Sequence, residues 1–119
     1  MIKYISIEDE ERRNIIKNFD EIPNIDKKVF CTLYKEYLSN DNNLYIDNSN
    51  DIVDKFFPEI SSDKMSDICW NLKSKDLIDC YPGDDLANEI SLTSDAIAFM
   101  EHKFKNNTTN IIKFLTQLI

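Results

Sequence analysis

Three cysteines and a single histidine, Cys31, Cys69, Cys80 and His102, are the side chains best suited to metal or nucleophile chemistry in this 119-residue chain. Structural zinc needs four such ligands, usually with two of them only a few residues apart. No C-x-x-C pair occurs, so neither a metal site nor any other cofactor is expected, and the thiols read as reduced and mostly buried. His102 stands beside Glu101 on a lysine-bearing stretch with no nucleophile pattern near it. The chain has one glycine, no glycine-rich phosphate loop and no H-E-x-x-H arrangement. Adjacent carboxylates at Asp84 and Asp85 suit a turn better than acid–base work. The expectation is therefore a protein that is not an enzyme and that works by recognition.

Recognition requires a fold, and the composition supports one. Hydrophobic residues make up 42% of the chain, with seven Phe, five Tyr and one Trp, enough apolar material for a single core without staples. The start, Met1-Ile2-Lys3-Tyr4-Ile5, runs at once into Glu8-Asp9-Glu10-Glu11. Without an apolar run of signal-peptide or membrane-span length, a cytoplasmic protein with no membrane contact is expected.

The elements follow from periodicity and punctuation. Ser6, with Asp9 three positions on, predicts the cap of a first helix over 7–20 carrying Ile7, Ile15, Ile16 and Phe19. Pro23 ends that pattern. Asp26 is then expected to cap a second helix in which Val29, Phe30, Leu33, Tyr34, Tyr37 and Leu38 form one apolar stripe. After the turn Ser39-Asn40-Asp41-Asn42-Asn43, Leu44-Tyr45-Ile46 reads as a short strand. A third helix begins near Asn50 or Asp51 and stops at Pro58, and a serine caps a fourth, with Met65, Ile68, Cys69 and Leu72 on one face. Leu77–Tyr81 and Leu86–Leu92 read as a hairpin about Pro82-Gly83-Asp84-Asp85, with Gly83 expected to take the unusual backbone angles. Thr93 caps a fifth helix bearing Ala96, Ile97, Phe99, Met100 and Phe104, and a last helix spans 108–119.

Helix, short strand, helix, turn, helix, hairpin is the order of a winged helix-turn-helix. The stretch Asn71-Leu72-Lys73-Ser74-Lys75-Asp76-Leu77-Ile78, with Ile90-Ser91-Leu92-Thr93-Ser94-Asp95-Ala96 after the hairpin, resembles the small winged helix-turn-helix proteins of bacteria and phages. The resemblance implies a mainly α (α+β) fold in one domain, with its core over 26–104, a short β-hairpin wing, and helical extensions at both ends. It also implies duplex DNA as ligand, with the helix from Ser62 to Ser74 in the major groove. On that reading Asp63, Lys64, Asp67, Trp70, Asn71 and Ser74 face outward. The DNA-binding set is Ser62, Lys64, Asp67, Asn71, Lys73 and Lys75, with Asn71 on an adenine edge and the lysines on phosphates. The same residues also read as the solvated face of an amphipathic helix, and Trp70 as either a contact residue or the edge of a packing face.

Charge opposes a simple DNA reader. Residues 1–40 hold seven basic and eight acidic side chains, whereas residues 41–119 hold seven and fourteen, so nearly all of the net charge of −8 falls in the half that should meet phosphate. Asp84 and Asp85 occupy the wing tip, where relatives of that kind place Arg or Lys. Basic residues that a local patch could use are Arg12, Arg13 and Lys17 on the first helix, with Lys27 and Lys28 on the second. At the other end, Ile111, Ile112, Phe114, Leu115 and Leu118 make the last helix too apolar for water. They are expected to form a homodimer through the terminal helices, or else to pack on the chain's own first helix.

Two functions follow. One is a dimeric transcription regulator of a bacterium, phage or plasmid, reading DNA with the fourth helix. The other is an acidic winged-helix module that binds a basic protein partner through Asp84 and Asp85, for example a phage-encoded inhibitor of a nucleic-acid-handling host defence protein.

Overall fold

The computed structural model describes residues 7–118, with side chains from residue 14 onward. Within them six helices, α1 (Ile7–Glu21), α2 (Asn24–Ser39), α3 (Ser49–Phe56), α4 (Ser62–Ser74), α5 (Ser94–Phe104) and α6 (Thr108–Gln117), accompany one antiparallel hairpin. The hairpin, β1 (Ile78–Gly83) and β2 (Leu86–Leu92), follows α4 directly. The chain is thus mainly helical with a small β element. Ser6 and Ile119 lie outside the described residues, as do the side chains of Arg12 and Arg13.

Helix α2 is the central rod. Val29, Phe30, Cys31, Leu33 and Tyr34 are all fully buried, because α4 packs on one side of it and α6 on another. The Tyr34 hydroxyl donates to Asn106 Oδ1 at 3.0 Å, which ties the rod to the α5–α6 turn. Burial pushes the Tyr34 phenol up to about 12. Phe19 of α1 lies against Phe30 of α2, Phe99 of α5 and Phe114 of α6, with ring centroids 5.3–5.9 Å apart. These offset aromatic contacts join both terminal helices to the same core. Asn18 secures the other side of α1, its Nδ2 donating to the Lys75 carbonyl at the end of α4 at 3.0 Å.

The caps largely follow the sequence signals. Asn48 accepts from the Asp51 amide and Asp51 answers the Asn48 amide, a capping box that starts α3 at Ser49. Ser61 caps α4 and Thr93 caps α5. Asp26 does not cap α2. That helix starts two residues earlier, after Pro23, whose fixed φ of −58° and missing N–H suit the entry to a helix. Asp26 is instead a buried residue of the first turn, only 4% exposed.

Two expectations about the β region are corrected. Leu44-Tyr45-Ile46 is not a strand; the cross-strand bridge falls later, between Asn48 and Asn88, beside a bond from the Glu89 amide to the Asp47 carbonyl at 2.6 Å. The register shift between Asp79 and Tyr81 leaves an extra residue on β2, where Glu89 takes φ 54°. The bulged residue is the one whose amide bonds the Asp47 carbonyl, so the contact with residues 47 and 48 falls at the bulge. Nor does Gly83 supply the turn's unusual angles. Asp84 and Asp85 do so, with φ 53° and 60°, the pair of left-handed residues a two-residue hairpin turn demands. Gly83 instead allows a close approach: a Cβ there would stand 3.0 Å from the Asn88 amide nitrogen, which donates to the Gly83 carbonyl at 2.7 Å and would have to shift.

Candidate partner-binding face

Helix α4 and the hairpin present one continuous outer face, and its chemistry depends on which polar side chains turn outward. Met65, Ile68, Cys69 and Leu72 point α4 into the core, together with Ser66, whose hydroxyl pairs with that of Ser49 on α3 at 2.9 Å. Asp63, Lys64 and Asp67 are exposed on the opposite side. Ser62 is exposed at the first turn, where its hydroxyl donates to Asn50 Oδ1 and pins α4 to α3.

Asn71 is half-buried, and its Nδ2 donates to Asp26 Oδ2 on α2 at 2.6 Å. The amide thus serves the protein interior. Burial holds the Asp26 carboxyl above its ordinary value of 3.8, opposed by the Asn71 hydrogen bond and by the charge of Lys64. Lys73 is likewise committed. Its ammonium donates to the Cys80 carbonyl, pairs with Asp79 at 3.5 Å, and lies over the Tyr81 and Trp70 rings, 4.9 and 5.9 Å from their centroids. Among the described residues this is the only ion pair. Lys75 closes α4 in a half-buried position, with its carbonyl held by Asn18.

What remains outward is acidic. Residues 47–92 hold eleven Asp or Glu against four Lys, a net of −7 out of the chain's −8, and one of those four lysines is the paired Lys73. Asp84 and Asp85 are exposed at the hairpin turn. Between that turn and α4 lies a shallow cleft of about 490 Å3, walled by Trp70, Pro82, Gly83 and Leu86 and rimmed by the two aspartates.

The structure thus brings Lys73, Asp84 and Asp85 to one face with Trp70, and sets Asn71 beneath that face. Sequence reasoning gave Asp26 another role, as a helix cap, and gave Asp79 and Tyr81 none beyond the strand. Alternation along β1 would have put Asp79 and Tyr81 on one side of the strand, whereas nothing local links Asp26 to a residue 45 positions away.

The remaining features lie elsewhere. In α6, Ile111 is fully buried, Leu118 is 8% exposed, Phe114 and Leu115 are half-buried on the core, and Ile112 is the exposed one at 46%. Most of that apolar surface is covered by the chain's own α2, α5 and Phe19. Burial raises all three thiols, Cys31 and Cys69 up to about 12. No three His, Cys, Asp or Glu among the described residues gather as a metal-holding group, and no described helix is long and apolar enough to cross a membrane. Comparison with protein-family models, with curated proteins and with solved structures finds no match.

Proposed function

We propose that this chain is a winged-helix protein-binding module whose acidic α4-and-hairpin face engages the basic surface of a nucleic-acid-handling protein. The observation that carries this reading is that Asn71 is bonded to buried Asp26 and Lys73 is paired with Asp79 at the surface, while Asp63, Asp67, Asp84 and Asp85 face solvent with Lys64 as the one exposed lysine of α4. A major-groove reader needs the reverse, with lysines on phosphates and an amide free for a base edge. An inhibitor of a host defence protein, encoded by a phage and acting in the cytoplasm, is one role this surface suits.

The adjacency of capped α3, capped α4 and a hairpin with a third, bridging segment supports the winged-helix part of the reading. Duplex DNA, bound by a dimer through Ser62, Lys64, Asp67, Asn71, Lys73 and Lys75, is the rival. Fluorescence anisotropy decides between them, with a labelled mixed-sequence duplex and a labelled Arg/Lys-rich peptide each titrated at two salt concentrations. Salt-sensitive binding of the peptide with no binding of the duplex at low salt is expected. Salt-sensitive binding of the duplex alone would replace this function with the DNA reader.

A further inference from the structure

We infer that the cleft between Trp70 and the Asp84–Asp85 turn is a receptor for an arginine side chain of the partner protein. This rests on the protein-binding reading above and names the group that its acidic face selects. The shallow cleft is lined by the Trp70 indole, by Pro82, Gly83 and Leu86, and by the two carboxylate residues of the turn. A guanidinium fits that combination through its shape as well as its charge. It is planar and weakly hydrated, stacks on an aromatic face, and offers paired N–H donors to a carboxylate. Lysine's compact ammonium can also lie over a ring, but it lacks the planar fork that stacks flat on the indole and meets a carboxylate with two parallel donors.

The neighbouring residues already hold a cation in this manner. Lys73 lies over Trp70 and Tyr81 with Asp79 beside it at 3.5 Å, so aromatic rings and one carboxylate bind an alkylammonium within the chain. The charge of Lys73 is matched by Asp79 and its N–H by the Cys80 carbonyl, so it does not neutralise the turn. Asp84 and Asp85 have no cation within salt-bridge distance among the described residues, and no lysine or arginine lines the cleft. Asp67, exposed one turn before Trp70 on α4, adds a third negative charge on the approach. The backbone of the turn is set by paired strands on either side, so the two carboxylates are carried on a defined frame.

Trp70 is the sole tryptophan and lines the cleft, so tryptophan emission comes from this one place in the fold. The full chain is titrated with a Gly-Arg repeat peptide and with its Gly-Lys counterpart of equal charge. Expected are a change in Trp70 emission with the Gly-Arg peptide and an affinity about threefold to fivefold above that of the Gly-Lys peptide, the size of an exposed cation–π contact. In the Asp84→Asn/Asp85→Asn variant, whose changes are confined to exposed positions, the affinity for both peptides should fall. Trp70→Leu should abolish the preference for arginine while leaving charge-driven binding in place. Equal affinity for the two peptides, or an arginine preference that survives Trp70→Leu, overturns this inference and leaves the protein-binding function standing. Binding of duplex with neither peptide bound overturns both.

Discussion

Asp26 and Asn71 show how one side chain can change its meaning with its surroundings. An asparagine on the outer half of an amphipathic helix reads as a base-contacting group, yet here its amide spends a donor on a carboxylate that burial disfavours. Asn71→Ala should therefore act on stability. Leaving Asp26 without its donor should cost about 1–3 kcal/mol at neutral pH. The pH dependence has a definite sign. Because the folded pKa of Asp26 lies above 3.8, the folded chain binds more protons than the unfolded one in the window just above that value. This group's contribution to stability is consequently greatest at low pH and is lost as pH rises through the folded pKa. Removing Asn71 raises the folded pKa further, so the deficit of the variant should widen between about pH 4 and pH 7 in urea unfolding. A deficit that stays constant across that range would remove Asp26 as its source.

The hairpin shows the same contest between local propensity and use at the level of an element. Two left-handed residues in succession favour Asn-Gly, and the chain places Asp-Asp there, at φ 53° and 60°. Each non-glycine residue in that region carries a backbone cost of about 1–2 kcal/mol, and the adjacent negative charges repel. Asp84→Asn with Asp85→Gly should accordingly stabilise the protein by about 1 kcal/mol, a rise in Tm of about 4 °C, read by circular dichroism. The acidic tip thus trades stability for charge at the rim of the cleft. An unchanged or lowered Tm would mean that the turn is held by contacts other than its own backbone preference. Helix α4 is similarly divided, its inner face joining the core through Met65, Ile68 and Leu72 while Trp70 spans core and cleft.

The whole molecule is organised by α2 and by the enclosure of both terminal helices. A ten-residue helix as rich in Ile, Phe and Leu as α6 must be covered, whether by a second copy or by its own domain. The covering is in large part the chain itself, with Ile111 fully buried and Phe114 against Phe19 and Phe104. Ile111→Ala should cost about 2–5 kcal/mol in chemical denaturation, as for other fully buried large-to-small changes. Ile112→Ala, one residue on and 46% exposed, should change stability by less than about 0.5 kcal/mol. Equal effects would mean that α6 does not dock in this orientation.

Much of this architecture was legible in the sequence because its causes are local. Capping residues precede the helices they start at Ser61 and Thr93, and the Ser62–Ser74 helix has the limits that its apolar spacing and flanking residues predict. The hairpin was visible from alternation about its turn residues. The concentration of negative charge after residue 40 was likewise plain from counting. What only the tertiary structure decided were the pairings across long separations: Asn71 with Asp26, Ser66 with Ser49, Asn18 with the Lys75 carbonyl, and the shift of the bridge from residues 44–46 to Asn48. A hydrogen-bond donor has no preferred partner until packing brings one within about 3 Å and excludes water from the alternatives. Helical periodicity placed Asn71 and Trp70 on the rim of one helix face, but the burial of each depends on what the neighbouring elements set against it. In this chain α2 claimed Asn71, and the hairpin turned Trp70 into the wall of a cleft.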